Sequence, residues 1–135
     1  IAKSFGGSNA VRRAPFPEFG WVEIEKVGAS PILDSIPDRF YSFQSHFEEV
    51  VSLPNEFILA AKSSRCDIQS YYHPSKPVFG LQFHPERNLQ EGKKSLEKKR
   101  SEVTSDCIFD STQARSKFSE SIASTIFGNF LRIAK

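Results

Sequence analysis

The sequence contains no methionine, a single tryptophan, only two cysteines and no long apolar run. No apolar stretch approaches the roughly 18 residues that a membrane-spanning helix needs, which argues against a membrane protein or a membrane partner. Residues 1–10 show no basic segment followed by an apolar one, so no signal peptide is recognisable and we expect a cytoplasmic location. Because the chain opens at Ile1 without an initiator methionine, we also expect it to be part of a longer protein.

The two cysteines, Cys66 and Cys107, are far apart in the sequence, and neither has a close Cys or His partner at metal-ligand spacing. A zinc site is therefore not indicated, and without a secretory context reduced thiols are favoured over a disulfide. The net charge is only +2, which gives no general electrostatic case for a nucleic-acid partner. With 39% hydrophobic and 25% charged residues, residues 1–135 have the composition of one ordinary globular domain.

Up to about residue 83 the sequence is dominated by β-strand patterns. Alternating apolar and charged residues predict a half-buried strand over 21–27. The least interrupted apolar run, Val78–Phe83, predicts the central strand of the sheet. Four further short strands are predicted over 40–44, 49–53, 57–61 and 68–72.

Helical patterns flank this β-rich region. Residues 1–7 end in a glycine pair, which is typical of the last turn of a helix. Residues 118–134 carry apolar side chains at three- and four-residue spacing and predict an amphipathic helix, with Asp110 or Ser111 as its N-cap. Residues 88–105, which follow the strands, are polar and dense in charge, and they predict a solvated helix or mobile loop.

The most informative segment is Gly80–Glu86, in which an apolar run leads directly into His84, Pro85 and Glu86. Residues two positions apart on a strand project to the same side, and proline favours the end of a strand. A histidine with a carboxylate partner supplies two of the three groups of a nucleophile–base–orienter triad. On pattern alone, a catalytic or binding role and a structural role are equally favoured.

Other reactive side chains have weaker patterns. Cys66 lacks the small flanking residues of a sharp nucleophile turn, and a place in a turn between two strands is favoured; Cys107 lies beside the charged segment. His73 precedes a proline, which favours an exposed loop position. His46 follows an aromatic strand whose end could meet a ligand, although a structural role is somewhat favoured.

Gly80–Glu86 resembles the GLQFHPE segment of class I glutamine amidotransferases, and other segments resemble this family in the same order along the chain. Residues 1–7 resemble the helix that follows the family's nucleophilic cysteine turn. Residues 20–24 resemble the GW strand of GMP synthase-like members, 45–54 their SHGDxVxxLP segment, and 127–131 the closing NFL helix. The resemblance covers residues 1 to about 87 and 118 to 135.

The resemblance implies an α/β fold, a three-layer flavodoxin-like or Rossmann-like glutaminase domain with a mostly parallel central sheet and additional antiparallel strands. This chain would be the C-terminal part, with the nucleophile-bearing N-terminal part missing. Two departures stand out. Phe47 and Glu48 replace the usual Gly-Asp of GMP synthases, and residues 88–117 are longer than the usual link, so they indicate an insertion.

The resemblance also implies a reaction, in which a cysteine thiolate attacks the side-chain amide of glutamine and ammonia is released for transfer to an acceptor. His84 would be the base and Glu86 its orienting partner, while backbone groups around Ser45, His46 and Phe47 would help to hold glutamine. No metal or organic cofactor is implied. The implied partners are L-glutamine, an unidentified ammonia-accepting synthase domain or subunit, and the N-terminal part of the same domain.

Two alternatives remain open. A base without a nucleophile performs no covalent catalysis, so the chain could be a non-catalytic remnant serving as a regulatory binding module. The same fold and Cys-His-Glu chemistry also serve γ-glutamyl hydrolases and peptidases. Because the triad cysteine is not among the 135 residues, we predict that this chain by itself does not hydrolyse glutamine.

Overall fold

The computed structural model describes residues 1–135 and combines four helices with six strands. None of the helices is both long enough and apolar enough to cross a membrane. The helices are Ala2–Gly6 (α1), Leu89–Lys99 (α2), Thr112–Lys117 (α3) and Ser121–Ile133 (α4). The strands are Val11–Lys26 (β1), Arg39–Val50 (β2), Ile58–Lys62 (β3), Ser70–Tyr72 (β4), Phe79–Leu81 (β5) and Ile108–Phe109 (β6).

The sheet is antiparallel along the order β2-β1-β3-β4-β5, and only the short β6 pairs in parallel, with β1. The mostly parallel sheet expected for the complete domain is therefore not found among the strands of this chain. Parallel neighbours need a long crossover, usually a helix, between them. No α-helix lies between β1 and β5. The pairs β1–β2, β3–β4 and β4–β5 each turn back on one another, whereas β3 pairs with β1 and not with β2.

The two ends of the strand order meet. The backbone N–H of His84, three residues beyond β5, donates to the carbonyl of Phe43 in β2 at 2.8 Å, and these two residues form an antiparallel bridge. The sheet is thus curled, and the segment after β5 lies beside the first strand of the order. Placing Val78–Phe83 as the central strand was wrong, because β5 is shorter and pairs only with β4.

β1 and β2 are longer than their patterns predicted and form the main hairpin, paired from Val11↔Val50 to Glu25↔Arg39. β2 runs without interruption to Val50, so the separate strand predicted over 49–53 is wrong. The pairing is irregular only between Arg13 and Glu18, where two prolines lie in the β1 segment. Cross-strand pairing with β1 extends β2 through polar residues whose local pattern predicts no strand.

Residues 88–117 fold against the sheet. Asn88 caps α2 through a reciprocal capping box with Glu91, and Leu96 of α2 is buried with Phe19 and Trp21 of β1. β6 approaches β1 so closely that a Cβ on Gly20, which has φ 117°, would overlap the carbonyl group of Phe109. The prediction of a helix is confirmed for 89–99, whereas a mobile loop does not describe this packed segment.

The C-terminal helix packs on the other main core. Ile122 and Ile126 of α4 are buried in a cluster with Ile24, Phe40 and Phe83. The predicted N-cap Ser111 caps α3 rather than α4, since its hydroxyl accepts a hydrogen bond from the Ala114 N–H. The helix predicted over 118–134 begins at Ser121, and the glycine-terminated helix predicted at residues 1–7 is present as α1.

Candidate functional site

His84 and Glu86 lie side by side just beyond β5. The Nδ1 atom of His84 is 2.9 Å from Oε1 of Glu86, and the two side chains are 37% and 51% exposed. A carboxylate can only accept a hydrogen bond, so Nδ1 carries the proton in this contact. The Nε2 atom of His84 has no hydrogen-bond partner, and in this tautomer it can accept a proton from an approaching group.

Local backbone structure holds this pair in place. β5 ends at Leu81, and the chain then turns through Pro85 and Glu86 instead of continuing as a strand. The His84 N–H donates to Phe43, while the His84 carbonyl accepts from the Arg87 N–H at 3.2 Å. The imidazole is therefore presented from a backbone that is bonded on both sides, which restricts where the ring can lie.

Ser45, His46 and Phe47 lie on β2, close to where His84 joins this strand. Ser45 is paired with Phe19, and His46 is paired with Glu18 across the β1–β2 hairpin. Phe47 packs edge-on against Phe19, with ring centroids 4.9 Å apart, so its side chain belongs to a hydrophobic cluster.

Hydrogen bonds join the β2 segment to the segment that carries His84. The side-chain amide of Gln82, two residues before His84, donates at 2.9 Å to the carbonyl of Glu48, the residue after Phe47. Together with the bond from His84 to Phe43, this places residues 43–48 next to residues 82–84. The structure thus brings both groups of predicted site residues to neighbouring backbone segments.

Sequence reasoning missed a buried polar cluster behind this junction, centred on Glu18. The carboxylate of Glu18 is fully buried and lies within hydrogen-bond distance of three side chains: Ser63 Oγ at 2.9 Å, Gln69 Nε2 at 2.8 Å and His46 Nε2 at 3.1 Å. A fully buried carboxylate needs such partners, because losing its water is costly. The one available signal was a glutamate placed among aromatic and proline residues in the Phe16–Phe19 segment.

Neither cysteine is a candidate nucleophile in this structure. Cys66 is 1% exposed and lies between β3 and β4, which confirms its predicted place in a turn between strands. Burial raises the pKa of the Cys66 thiol to about 12, with the nearby Glu18 carboxylate adding to the rise. Only the thiolate is a good nucleophile, so Cys66 is unreactive near neutral pH. Cys107 is also buried, within the cluster formed by residues 88–117 and the sheet.

The prediction that His73 is an exposed loop histidine is wrong. Its side chain is 7% exposed and packs edge-on against Phe57, with ring centroids 5.5 Å apart. Its Nδ1 atom accepts a hydrogen bond from the Ser75 N–H at 3.1 Å. The loop after β4 folds back over the neighbouring hydrophobic cluster, a tertiary contact that the local sequence does not indicate.

A cavity of about 960 Å³ lies elsewhere, between the sheet and residues 88–117. Its walls include Trp21, Tyr41 and Phe109, together with charged residues of both signs, but neither His84 nor Glu86. The protein contains no group of three or more His, Cys, Asp or Glu side chains arranged to hold a metal ion.

Comparison with known proteins gives the family of the chain. Residues 1–102, three quarters of the sequence, match the family described as Glutamine amidotransferase class-I. Two solved glutamine amidotransferases share the fold. The protein from Methylobacillus flagellatus superposes on 97% of this chain with a TM-score of 0.76 and 19% sequence identity. The protein from Thermotoga maritima superposes on 91% of this chain with a TM-score of 0.68 and 24% sequence identity.

Among curated proteins, one subunit of the glutamine-hydrolysing GMP synthase from Thermoplasma acidophilum is 37% identical over 86 residues. This match covers 64% of the chain and 42% of that relative, and the chain spans 57% and 53% of the two solved structures. The chain thus corresponds to about half the length of the proteins it matches. On the family match and the shared α/β fold, the chain belongs to the class I glutamine amidotransferases.

Proposed function

We propose that this chain supplies the base and the orienting carboxylate of a glutaminase that releases ammonia from the side chain of glutamine. The observation that carries the proposal is the contact between His84 Nδ1 and Glu86 Oε1, which leaves Nε2 available to a reacting group. Family membership supports glutamine as the substrate.

His84 takes the proton from a cysteine thiol through Nε2, and the resulting thiolate attacks the amide carbon of glutamine. The imidazolium then returns this proton to the departing nitrogen, so that the C–N bond breaks and ammonia leaves a glutamyl thioester. Water, deprotonated by the same nitrogen, hydrolyses the thioester to glutamate. Glu86 stabilises the imidazolium in each step and keeps the proton of Nδ1 in place.

The thiol comes from outside these 135 residues. Cys66 and Cys107 are both buried, and the thiol of Cys66 resists ionisation. The chain is then the C-terminal part of a glutaminase domain, with residues 88–117 as an insertion and the cysteine on a preceding segment. In the complete domain this preceding segment contributes the parallel strands of a doubly wound α/β sheet, and the antiparallel strands of this chain are joined to them.

The backbone around Ser45, His46 and Phe47 holds the glutamine. This segment is half-buried and lies against residues 82–84, and this position beside His84 supports its role in holding the substrate. The partner is a synthase domain or subunit that accepts the ammonia. The matched relative is one subunit of a GMP synthase, which supports a separate subunit or domain as the acceptor of ammonia here.

The test is ammonia release from glutamine by the full-length polypeptide that contains this chain. We expect the rate of ammonia release to fall by about 10³-fold or more in the His84→Ala variant. The reason is that no base remains to deprotonate the thiol and no acid remains to protonate the departing nitrogen. His73→Gln is the matched control, because His73 is a histidine outside the site, and its rate should stay unchanged. An unchanged rate in His84→Ala would rule out the proposed role of His84.

A separate labelling experiment identifies the cysteine that supplies the thiol. Brief treatment of the full-length polypeptide with iodoacetamide near neutral pH, followed by peptide mapping, should label a cysteine other than Cys66 and Cys107, and glutamine should protect it. Labelling of Cys66 together with loss of activity, or activity of residues 1–135 alone, would contradict an external thiol. Hydrolysis of γ-glutamyl peptides in place of glutamine would assign a different substrate to the same pair.

A further inference from the structure

The fully buried carboxylate of Glu18 lies at the centre of hydrogen bonds that reach the segments behind the candidate site. Its Oε1 atom accepts from the Ser63 hydroxyl, and its Oε2 atom faces Gln69 Nε2 at 2.8 Å and His46 Nε2 at 3.1 Å. These partners come from three different parts of the chain, namely β2 and the two ends of the loop between β3 and β4. A buried charged side chain seldom makes a protein more stable than apolar side chains in its place would. When all its hydrogen bonds are made, however, it holds its partner residues in one arrangement.

His46 transmits this constraint to the backbone of its own segment. Its Nε2 atom faces the Glu18 carboxylate, while its Nδ1 atom lies 2.9 Å from the Glu48 carbonyl. A carbonyl oxygen can only accept, so Nδ1 carries a hydrogen, and one further proton lies between Nε2 and Oε2. The imidazole is thus held at both nitrogens and ties the residue after Phe47 to the buried carboxylate.

The same carbonyl links this arrangement to the His84–Glu86 pair. The Glu48 carbonyl also accepts the side-chain amide of Gln82, two residues before His84. The Gln82 N–H donates to the Gln69 carbonyl at 2.8 Å, and the Gln69 side chain returns to Glu18. A closed set of hydrogen bonds therefore surrounds the junction between residues 45–48 and 82–84.

We propose that Glu18 is a positioning residue for glutamine binding: through the His46 imidazole it holds the Ser45–Glu48 backbone in the conformation that receives the substrate. Glu18 touches neither substrate nor the reacting atoms, and it acts only by restricting the segment that does. This inference rests on the proposed function, because it assigns a task to a segment that was itself proposed to hold glutamine. It predicts that weakening the Glu18–His46 contact affects KM far more than kcat.

The experiment is a double-mutant cycle in the full-length polypeptide with glutamine as substrate. Glu18→Gln and His46→Gln should each raise KM by about tenfold or more, the size expected when a charge-assisted hydrogen bond is lost, with kcat within about threefold. If Glu18 acts through His46, the double variant should be no worse than His46→Gln alone. The proposal would be overturned if the rise of KM in the double variant equalled the product of the rises in the two single variants. An unchanged KM in Glu18→Gln would also overturn it.

Glu49→Gln is the matched control. Glu49 is another buried carboxylate of the same hairpin, but its partner is Arg12 at 2.8 Å and it has no bond to His46. Its KM should not change, although its stability should fall. An equal rise of KM in Glu49→Gln would show that any disturbance of the hairpin has this effect, and would also overturn the proposal.

Two further results separate the possible failures. If the wild-type polypeptide releases no ammonia, the proposed function fails and the inference falls with it; if the wild type is active and KM is insensitive to Glu18, only the inference fails. Should Glu18→Gln not fold, Ser63→Ala removes one donor to the same carboxylate and replaces it in the cycle. A KM that rises in Ser63→Ala, without a further rise when combined with His46→Gln, supports the proposal, and an unchanged KM overturns it.

Discussion

At the scale of single residues, the contact between His84 and Glu86 has a chemical consequence but a small structural one. Both side chains are substantially exposed, and an exposed ion pair adds only about 0–1 kcal/mol to stability. The hydrogen bond nevertheless selects the tautomer that leaves Nε2 free. A role in catalysis and a role in folding therefore predict different outcomes when Glu86 alone is changed.

Glu86→Gln keeps a hydrogen-bond acceptor near Nδ1 but removes the negative charge that stabilises the imidazolium. We expect kcat for glutamine hydrolysis to fall by about 10²-fold or more, with little change in KM or in the urea midpoint of unfolding. Steady-state kinetics and urea unfolding of the same preparation measure the three quantities. A fall in stability that accounts for the lost activity would instead assign Glu86 a structural role.

At the scale of secondary-structure elements, two glycines inside helices have opposite surroundings. A Cβ on Gly92 of α2 would lie 2.7 Å from Cζ2 of Trp21 and 3.0 Å from Cδ2 of Phe43, both buried rings of the sheet. A Cβ on Gly128 of α4 would meet nothing within 4 Å. α2 therefore requires a residue without a side chain where it crosses the sheet, whereas α4 has no such requirement.

The two positions form a matched pair for mutation to alanine. Alanine is favoured over glycine in a helix by about 1 kcal/mol, so Gly128→Ala should raise the free energy of unfolding by about that amount. In Gly92→Ala this gain is outweighed by overpacking, which costs about 1–3 kcal/mol, so stability should fall. Urea unfolding followed by the fluorescence of the single Trp21 gives both values. Equal stabilisation of the two variants would show that α2 does not pack tightly on the sheet.

At the scale of the whole molecule, buried thiol and phenol groups make the fold sensitive to alkaline pH. Burial raises the pKa of the Cys66 thiol to about 12, and burial also raises the pKa of Tyr71. The unfolded chain loses these protons at lower pH than the folded one, so the folded state binds more protons in this range. The free energy of unfolding therefore decreases as pH rises from about 8.5 towards 12.

Urea unfolding at a series of pH values from neutral to about 11 should show this loss, and Cys66→Ala should show a shallower dependence on pH because one of the groups is absent. The change of slope is the relevant quantity, since the variant also loses packing at every pH. An identical slope in wild type and variant would mean that the Cys66 thiol ionises equally in both states.

Local pattern was enough to predict the helix at residues 1–7, much of α4, most strand positions and the pairing of His84 with Glu86. These features depend on neighbours within a few residues: a glycine pair, apolar spacing, and two side chains on one side of a strand end. The pattern was insufficient for the length of β2 and for the burial of His73, since both depend on contacts with distant parts of the chain.

The sequence alone determined the family and singled out His84 and Glu86, because both results depend on short segments in a recognisable order. Only the tertiary structure decided that the strands of this chain pair antiparallel, that residues 88–117 pack on the sheet, and that Glu18 lies buried behind the site. The physical reason is that strand order and burial are set by contacts between distant segments. His46 and Glu18 are 28 positions apart and meet only when the hairpin has formed.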